Sequence, residues 1–259
     1  MKRLRVLMTR QEIEPEKLGD ATVVVVDVFL ATTTLVTILE TGARGVYPVA
    51  TLEEAEEMGE RLERSAILRG GEQGAQRIEG YDLGPFPEEY PPEVVEDKDV
   101  IFVTTNGTRA MGTAAEAREL LVGSLRNAPA VARYLERSGT GSIYVVCAGS
   151  AGRFTLEDFL GASIILSCLN RNDYLDGWRL NDAARLALDF AGRYEGRIPD
   201  ELKEARAGRW FLENDRLEVL EFTGDVGASD VVPKVVDGKL SRAEDRMSSS
   251  SPLKSDAGR

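Results

Sequence analysis

No histidine occurs among the 259 residues, and that one absence removes several chemistries. A Ser–His–acid triad, a phosphohistidine intermediate, a histidine-ligated zinc centre and a Cys–His nucleophile all require an imidazole. Acid–base work must come from carboxylates, lysine, tyrosine, cysteine or a metal-bound water. Cysteine is nearly as scarce. Cys147 ends an apolar strand pattern and Cys168 lies in an apolar helix pattern, so both read as reduced packing residues. No run of about 18 apolar residues suits a membrane span, and the opening MKRLRVLMTR lacks a signal-peptide core. A cytoplasmic protein is expected. Positive charge is in deficit, 32 bases against 44 acids, for a formal net charge of −12. Such a field disfavours nucleic acid and anionic membranes as partners. Neither G-x-G-x-x-G nor the P-loop pattern appears in a strand–helix context, so nucleotide binding has little support.

What the sequence does contain is organised around Ala21 to Gly42, ATVVVVDVFLATTTLVTILETG. Four consecutive valines read as a strand buried on both faces, the habit of a parallel sheet covered by helices. Asp27 follows where the strand should end, and Thr32 to Thr34 supply hydroxyls and backbone N–H groups at a helix start. Ligands of open α/β sheets collect at such strand ends. The unit recurs: Val100–Val103 runs into Thr104-Thr105-Asn106-Gly107-Thr108, and Ser142–Val146 runs into Cys147 and the glycine-rich turn to Gly152. Glu157 and Asp158 then open a long apolar helix, where a capping box led by Thr155 is the plain alternative for Asp158.

Along the chain, strands are expected at Leu4–Thr9, Gly45–Val49, Ala66–Leu68, Leu121–Ser124 and Val231–Val236. Helices are expected over Leu52–Arg64, with Thr51 and Glu54 as a capping box, and over Gly107–Leu121, Ala128–Arg137, Phe154–Leu169 and Asn181–Ala191. A further helix follows Pro199. Gly70 to Tyr90 reads as a long irregular loop with Glu72 and Asp82 as its ligand positions. Residues 1–240 are expected to form a single α/β domain, of one lobe or two, before a serine-rich disordered tail over 241–259.

Four segments together resemble the 2-phosphosulfolactate phosphatases. They are Asp27-Val-Phe-Leu-Ala-Thr-Thr-Thr, Gly70-Gly-Glu-Gln with Gly80-Tyr-Asp-Leu-Gly, Thr104-Thr-Asn-Gly-Thr-Arg-Ala, and Cys147-Ala-Gly-Ser-Ala-Gly-Arg-Phe-Thr-Leu-Glu-Asp. The resemblance implies a layered α/β/α fold with a largely parallel mixed sheet. It also implies Mg²⁺-dependent hydrolysis of a phosphate ester on a small sulfonated acid, as in coenzyme M biosynthesis, with monomer and homodimer both open. Asp27, Glu72 and Asp82 would hold the metal. The 104–108 turn (Thr105, Asn106, Gly107, Thr108) with Arg109, the Gly149 to Gly152 turn, Thr32, Thr33 and Arg77 would hold substrate. Glu157 or Asp158 would handle water or the leaving oxygen, and Asp27 is either a metal ligand or a nucleophile.

Three positions depart from the pattern. Leu30 and Gln73 stand where arginines are expected, and Pro85-Phe86 replaces Asn-Ser. A non-catalytic relative that keeps the site but lacks turnover is therefore the alternative. Haloacid-dehalogenase-like phosphatases fit less well, because their second acid falls on Phe29.

Overall fold

The computed structural model describes residues 1–62, 67–74, 76–194 and 196–243. Eleven strands are β1 (Arg3–Leu7), β2 (Thr22–Val26), β3 (Gly45–Val49), β4 (Ile67–Gln73), β5 (Gln76–Arg77), β6 (Asp99–Val103), β7 (Glu119–Gly123), β8 (Ser142–Cys147), β9 (Arg179–Leu180), β10 (Pro233–Val236) and β11 (Lys239–Arg242). Their order is β5-β4-β6-β3-β11-β10-β7-β2-β8-β1-β9. Two parallel groups emerge, β4-β6-β3 and β7-β2-β8-β1-β9, and the antiparallel hairpin β10–β11 joins them.

The helices are α1 (Thr33–Glu40), α2 (Leu52–Arg61), α3 (Pro92–Val95), α4 (Gly107–Thr113), α5 (Ala128–Ser138), α6 (Leu156–Leu169), α7 (Asp182–Tyr194), α8 (Ile198–Glu204), α9 (Arg206–Glu213) and α10 (Leu217–Gly224). Successive side chains of a strand face opposite sides of its sheet. Accordingly Val24 and Val26 pack with α5 and α6, whereas Val23 and Val25 pack with α1 and α4. The valine run thus feeds two cores at once, which fixes a layered α/β/α arrangement.

Several expected boundaries move for visible reasons. The strand expected to stop at Leu68 continues through Gly70 and Gly71, because the glycines admit close neighbours: a Cβ on Gly70 would lie 2.1 Å from Tyr90 Oη. The helix expected to reach Leu121 stops at Thr113, and Glu119–Gly123 joins the sheet beside β2. The helix after Pro199 breaks at Ala205 into α8 and α9, while α10 and the partner strand β11 were not foreseen. Ser241 and Arg242 therefore belong to β11 rather than to a tail. The remainder of that tail, residues 244–259, lies outside the described residues, as do Glu63, Arg64 and Ala66 of the expected helix and strand.

Candidate active site

Asp27 leaves β2 into a wide turn in which Thr32 N–H donates to the Asp27 carbonyl at 2.8 Å. Thr32 Oγ1 also donates to that carbonyl at 2.8 Å, and Thr33 Oγ1 donates to Val28 C=O at 2.8 Å. These buried hydroxyls hold the turn instead of facing the cleft. Neither Thr32 nor Thr33, expected at the substrate, lines the cleft described below. The turn brings Leu30 to the cleft wall with a left-handed φ of 66°, a conformation uncommon for a branched side chain.

A cleft of about 840 Å³ opens over the ends of β2, β6 and β8. Asp27, Glu72, Glu157 and Asp158 line it, all buried. Thr105, Asn106, Arg109 and Gly149 line it too. Glu72 Oε1 accepts from Thr105 N–H at 2.8 Å, which ties the end of β4 to the turn after β6. Gly107 begins α4 against the same acid group: a Cβ there would lie 3.1 Å from Asp27 Oδ2 and 3.2 Å from the Ala31 methyl. Thr108 donates to Thr104 C=O and closes the turn.

Asp158 is not a helix cap. Its Oδ1 accepts from Val28 N–H at 2.8 Å and its Oδ2 from Gly149 N–H at 2.9 Å, so one carboxylate clamps the turns after β2 and β8 together. Burial raises its carboxyl to about 6, against the hydrogen bonds from these two backbone groups. Glu157 is raised to about 7, first by burial and then by the charge of Asp158. Asp27 is held well above the usual carboxylate range by burial, then by the charges of Asp158, Glu72 and Glu157, partly offset by the Gly107 N–H. Burial thus disfavours the charged forms of Asp27, Glu157 and Asp158 in one cleft, and neighbouring carboxylates add to the effect at Asp27 and Glu157.

Three expected residues lie elsewhere. The Asp82 carboxylate accepts from Arg69 N–H at 2.8 Å on an exposed loop. Arg77 is bound to Glu89 at 2.9 Å and to the Asp82 carbonyl at 2.7 Å, stapling that loop. Gly152 is exposed and does not line the cleft. Gln73 is exposed at the end of β4 and is likewise outside the cleft lining.

Sequence reasoning missed Arg10 after β1 and the face of α9 that carries Arg206, Arg209 and Trp210. The seat of α9 is aromatic: Phe211 packs on Phe29 at 5.0 Å and on Phe86 at 6.3 Å between ring centroids. The Pro85-Phe86 departure thus builds the wall that holds α9 over the cleft. No local signal joined residues so far apart in sequence.

Among the described residues, no three acidic or sulfur side chains converge into a complete metal site. Mg²⁺ commonly takes only one or two carboxylates, completing its octahedron with water and phosphate oxygens. The mutually repelling acids around Asp27 suit a cation of that kind.

A family model described as 2-phosphosulpholactate phosphatase matches residues 7–238. A probable 2-phosphosulfolactate phosphatase of Caldanaerobacter subterraneus subsp. tengcongensis is 36% identical over 242 residues, covering 93% of this chain and 99% of that protein. Another, from Clostridium perfringens strain SM101, is 35% identical over 245 residues, covering 93% and 97%. A third, from Thermotoga maritima, is 44% identical over 156 residues, covering 60% and 66%. With the four motifs in register and the match running through β1 to β10, the chain belongs to the 2-phosphosulpholactate phosphatase family of phosphoric monoester hydrolases.

Proposed function

We propose that the protein hydrolyses the phosphate ester of 2-phosphosulfolactate, or of a closely related small phosphorylated acid, with Mg²⁺ in the cleft. The observation that carries this reading is the set of buried carboxylates Asp27, Glu72, Glu157 and Asp158 in one cleft, beside the 104–109 segment and Gly149. Asp27 and Glu72 are the residues to hold the cation. When bound, it would neutralise phosphoryl charge and relieve the repulsion among the acids.

The remaining work belongs to the chain. Thr105 and Asn106 orient the phosphoryl group from the β6 side, and Gly149 and its turn do so from the β8 side. Asp158 positions both turns, since each of its oxygens is occupied by a backbone N–H. Glu157, protonated below about 7, is the group to give a proton to the leaving hydroxy-acid oxygen.

A second reading is that of an anion- and metal-binding relative without turnover, favoured by the apolar Leu30 on the cleft wall. Phosphate release from 2-phosphosulfolactate and a panel of small phosphate esters, with Mg²⁺ and with chelator, separates the two. Metal-dependent release is expected from the unmodified protein. No release, with activity appearing only in a Leu30→Arg/Gln73→Arg variant, would establish the second reading.

A further inference from the structure

Arg10 sits in the loop after β1, where that loop passes the turn after β8. A Cβ on Gly149 would lie 3.7 Å from Thr9 Cγ2, and one on Gly152 would lie 3.0 Å from Gln11 Nε2. The side chains of the residues on both sides of Arg10 thus lie against that turn. Its guanidinium lines the cleft, and its buried Nε has no hydrogen-bond partner among the described residues. A buried donor left without an acceptor costs stability, so the position favours a molecule that brings one.

A second cavity of about 790 Å³ lies beside α4 and the β10–β11 turn. Of the residues lining the cleft, only Arg10 and Arg109 also line this second cavity. Asp27, Glu72, Glu157 and Asp158 line the cleft alone, as do Arg206 and Arg209. The two shared arginines therefore mark the end of the cleft that opens away from the acid cluster. With a molecular charge of −12, a second anionic group on a substrate receives no help from the general field and needs a local cation.

We propose that Arg10, together with Arg109, holds one of the two acid groups of the substrate that are not transferred, the sulfonate or the carboxylate, and so selects phosphate esters that carry a second strong acid. This rests on the phosphatase reading above. The planar guanidinium fork matches the paired oxygens of such a group, and the phosphoryl end is left to the acids, the cation and the turns.

The test compares wild type, Arg10→Gln and Arg10→Lys on 2-phosphosulfolactate and on glycerol 2-phosphate, which lacks the second acid. Sulfolactate binding is measured by calorimetry on the same proteins. For Arg10→Gln, kcat/KM on the two-acid ester should fall about 10- to 100-fold further than on the glycerol ester, mainly through KM. Sulfolactate should bind correspondingly less, and Arg10→Lys should recover part of both. Equal losses on the two esters with weaker inhibition by inorganic phosphate would place Arg10 on the phosphoryl group and overturn the assignment, as would unchanged kinetics. If wild type hydrolyses neither ester, the phosphatase reading fails by itself, and sulfolactate binding to the variants still decides the role of Arg10.

Discussion

At the scale of single residues, Glu157 is a cleft acid whose protonation lies within the working range of most enzymes. A carboxyl raised to about 7 is protonated below that value, so a proton donor is available at lower pH and is lost as pH rises through it. The kcat for a hydroxy-acid ester should therefore decline on the alkaline side. Glu157→Gln should lower kcat about 100-fold or more and flatten that limb. An aryl phosphate, whose leaving group needs no proton, should lose much less, and equal losses on both substrates would remove Glu157 from this role. Asp27 was legible in the sequence because a valine run ends directly before it. Asp158 was legible as a residue but not in its function, since its partners Val28 and Gly149 are brought to it only by folding. Arg10 carried no signal at all, for an arginine after an edge-side strand looks like solvent-facing polarity.

At the scale of elements, the β10–β11 hairpin is the piece that makes one sheet from two parallel groups. Each of its strands contributes a lysine to a buried carboxylate at the start of another strand: Lys234 to Glu119 of the adjacent β7 at 2.7 Å, and Lys239, past β3, to Asp99 of β6 at 2.8 Å. Burial alone would raise both carboxyls, but hydrogen bonds from Lys234 and Tyr134 at Glu119, and from Arg44 and Lys239 at Asp99, bring them below their ordinary values. Lowered carboxyls stabilise above the ordinary carboxyl range, and this contribution is lost as pH falls through the lowered values. Lys239 reaches Asp99 across Gly45, where a Cβ would stand 1.8 Å from Lys239 Cε. Gly45→Ala should thus displace the lysine and cost about 1–3 kcal/mol, as should Lys239→Met. The double variant should cost little more than either single change, as thermal or urea unfolding would show; fully additive losses would mean that Gly45 acts independently of the lysine. The consecutive valines of β2 announced a strand buried on both faces, whereas the hairpin was half hidden. VVPKVV reads as a strand, but LSR in Lys239–Arg242 resembles the polar residues that follow it.

For the whole molecule, the sequence made the layered fold readable because β2, β6 and β8 each repeat the same strand, turn and helix. It left the covering wall unread, because α9 reaches the cleft through Phe29, Phe86 and Phe211, three positions with no common local pattern. The assembled protein lines one cleft of an already acidic chain with four buried acids, and burying carboxylates in this way costs stability unless cations or protons compensate their charge. Family membership makes the chain a phosphoric monoester hydrolase, and the proposed function adds a cation held at Asp27. The most direct measurement is Mg²⁺-dependent phosphate release from 2-phosphosulfolactate by wild type and Asp27→Asn, with the melting temperature of each followed with and without Mg²⁺. Wild type should turn over and gain stability from Mg²⁺. Asp27→Asn should lose turnover, melt higher than wild type without metal because repulsion by Asp158, Glu72 and Glu157 is relieved, and gain little from Mg²⁺. An Asp27→Asn protein that still releases phosphate in a Mg²⁺-dependent way would contradict the central role of Asp27.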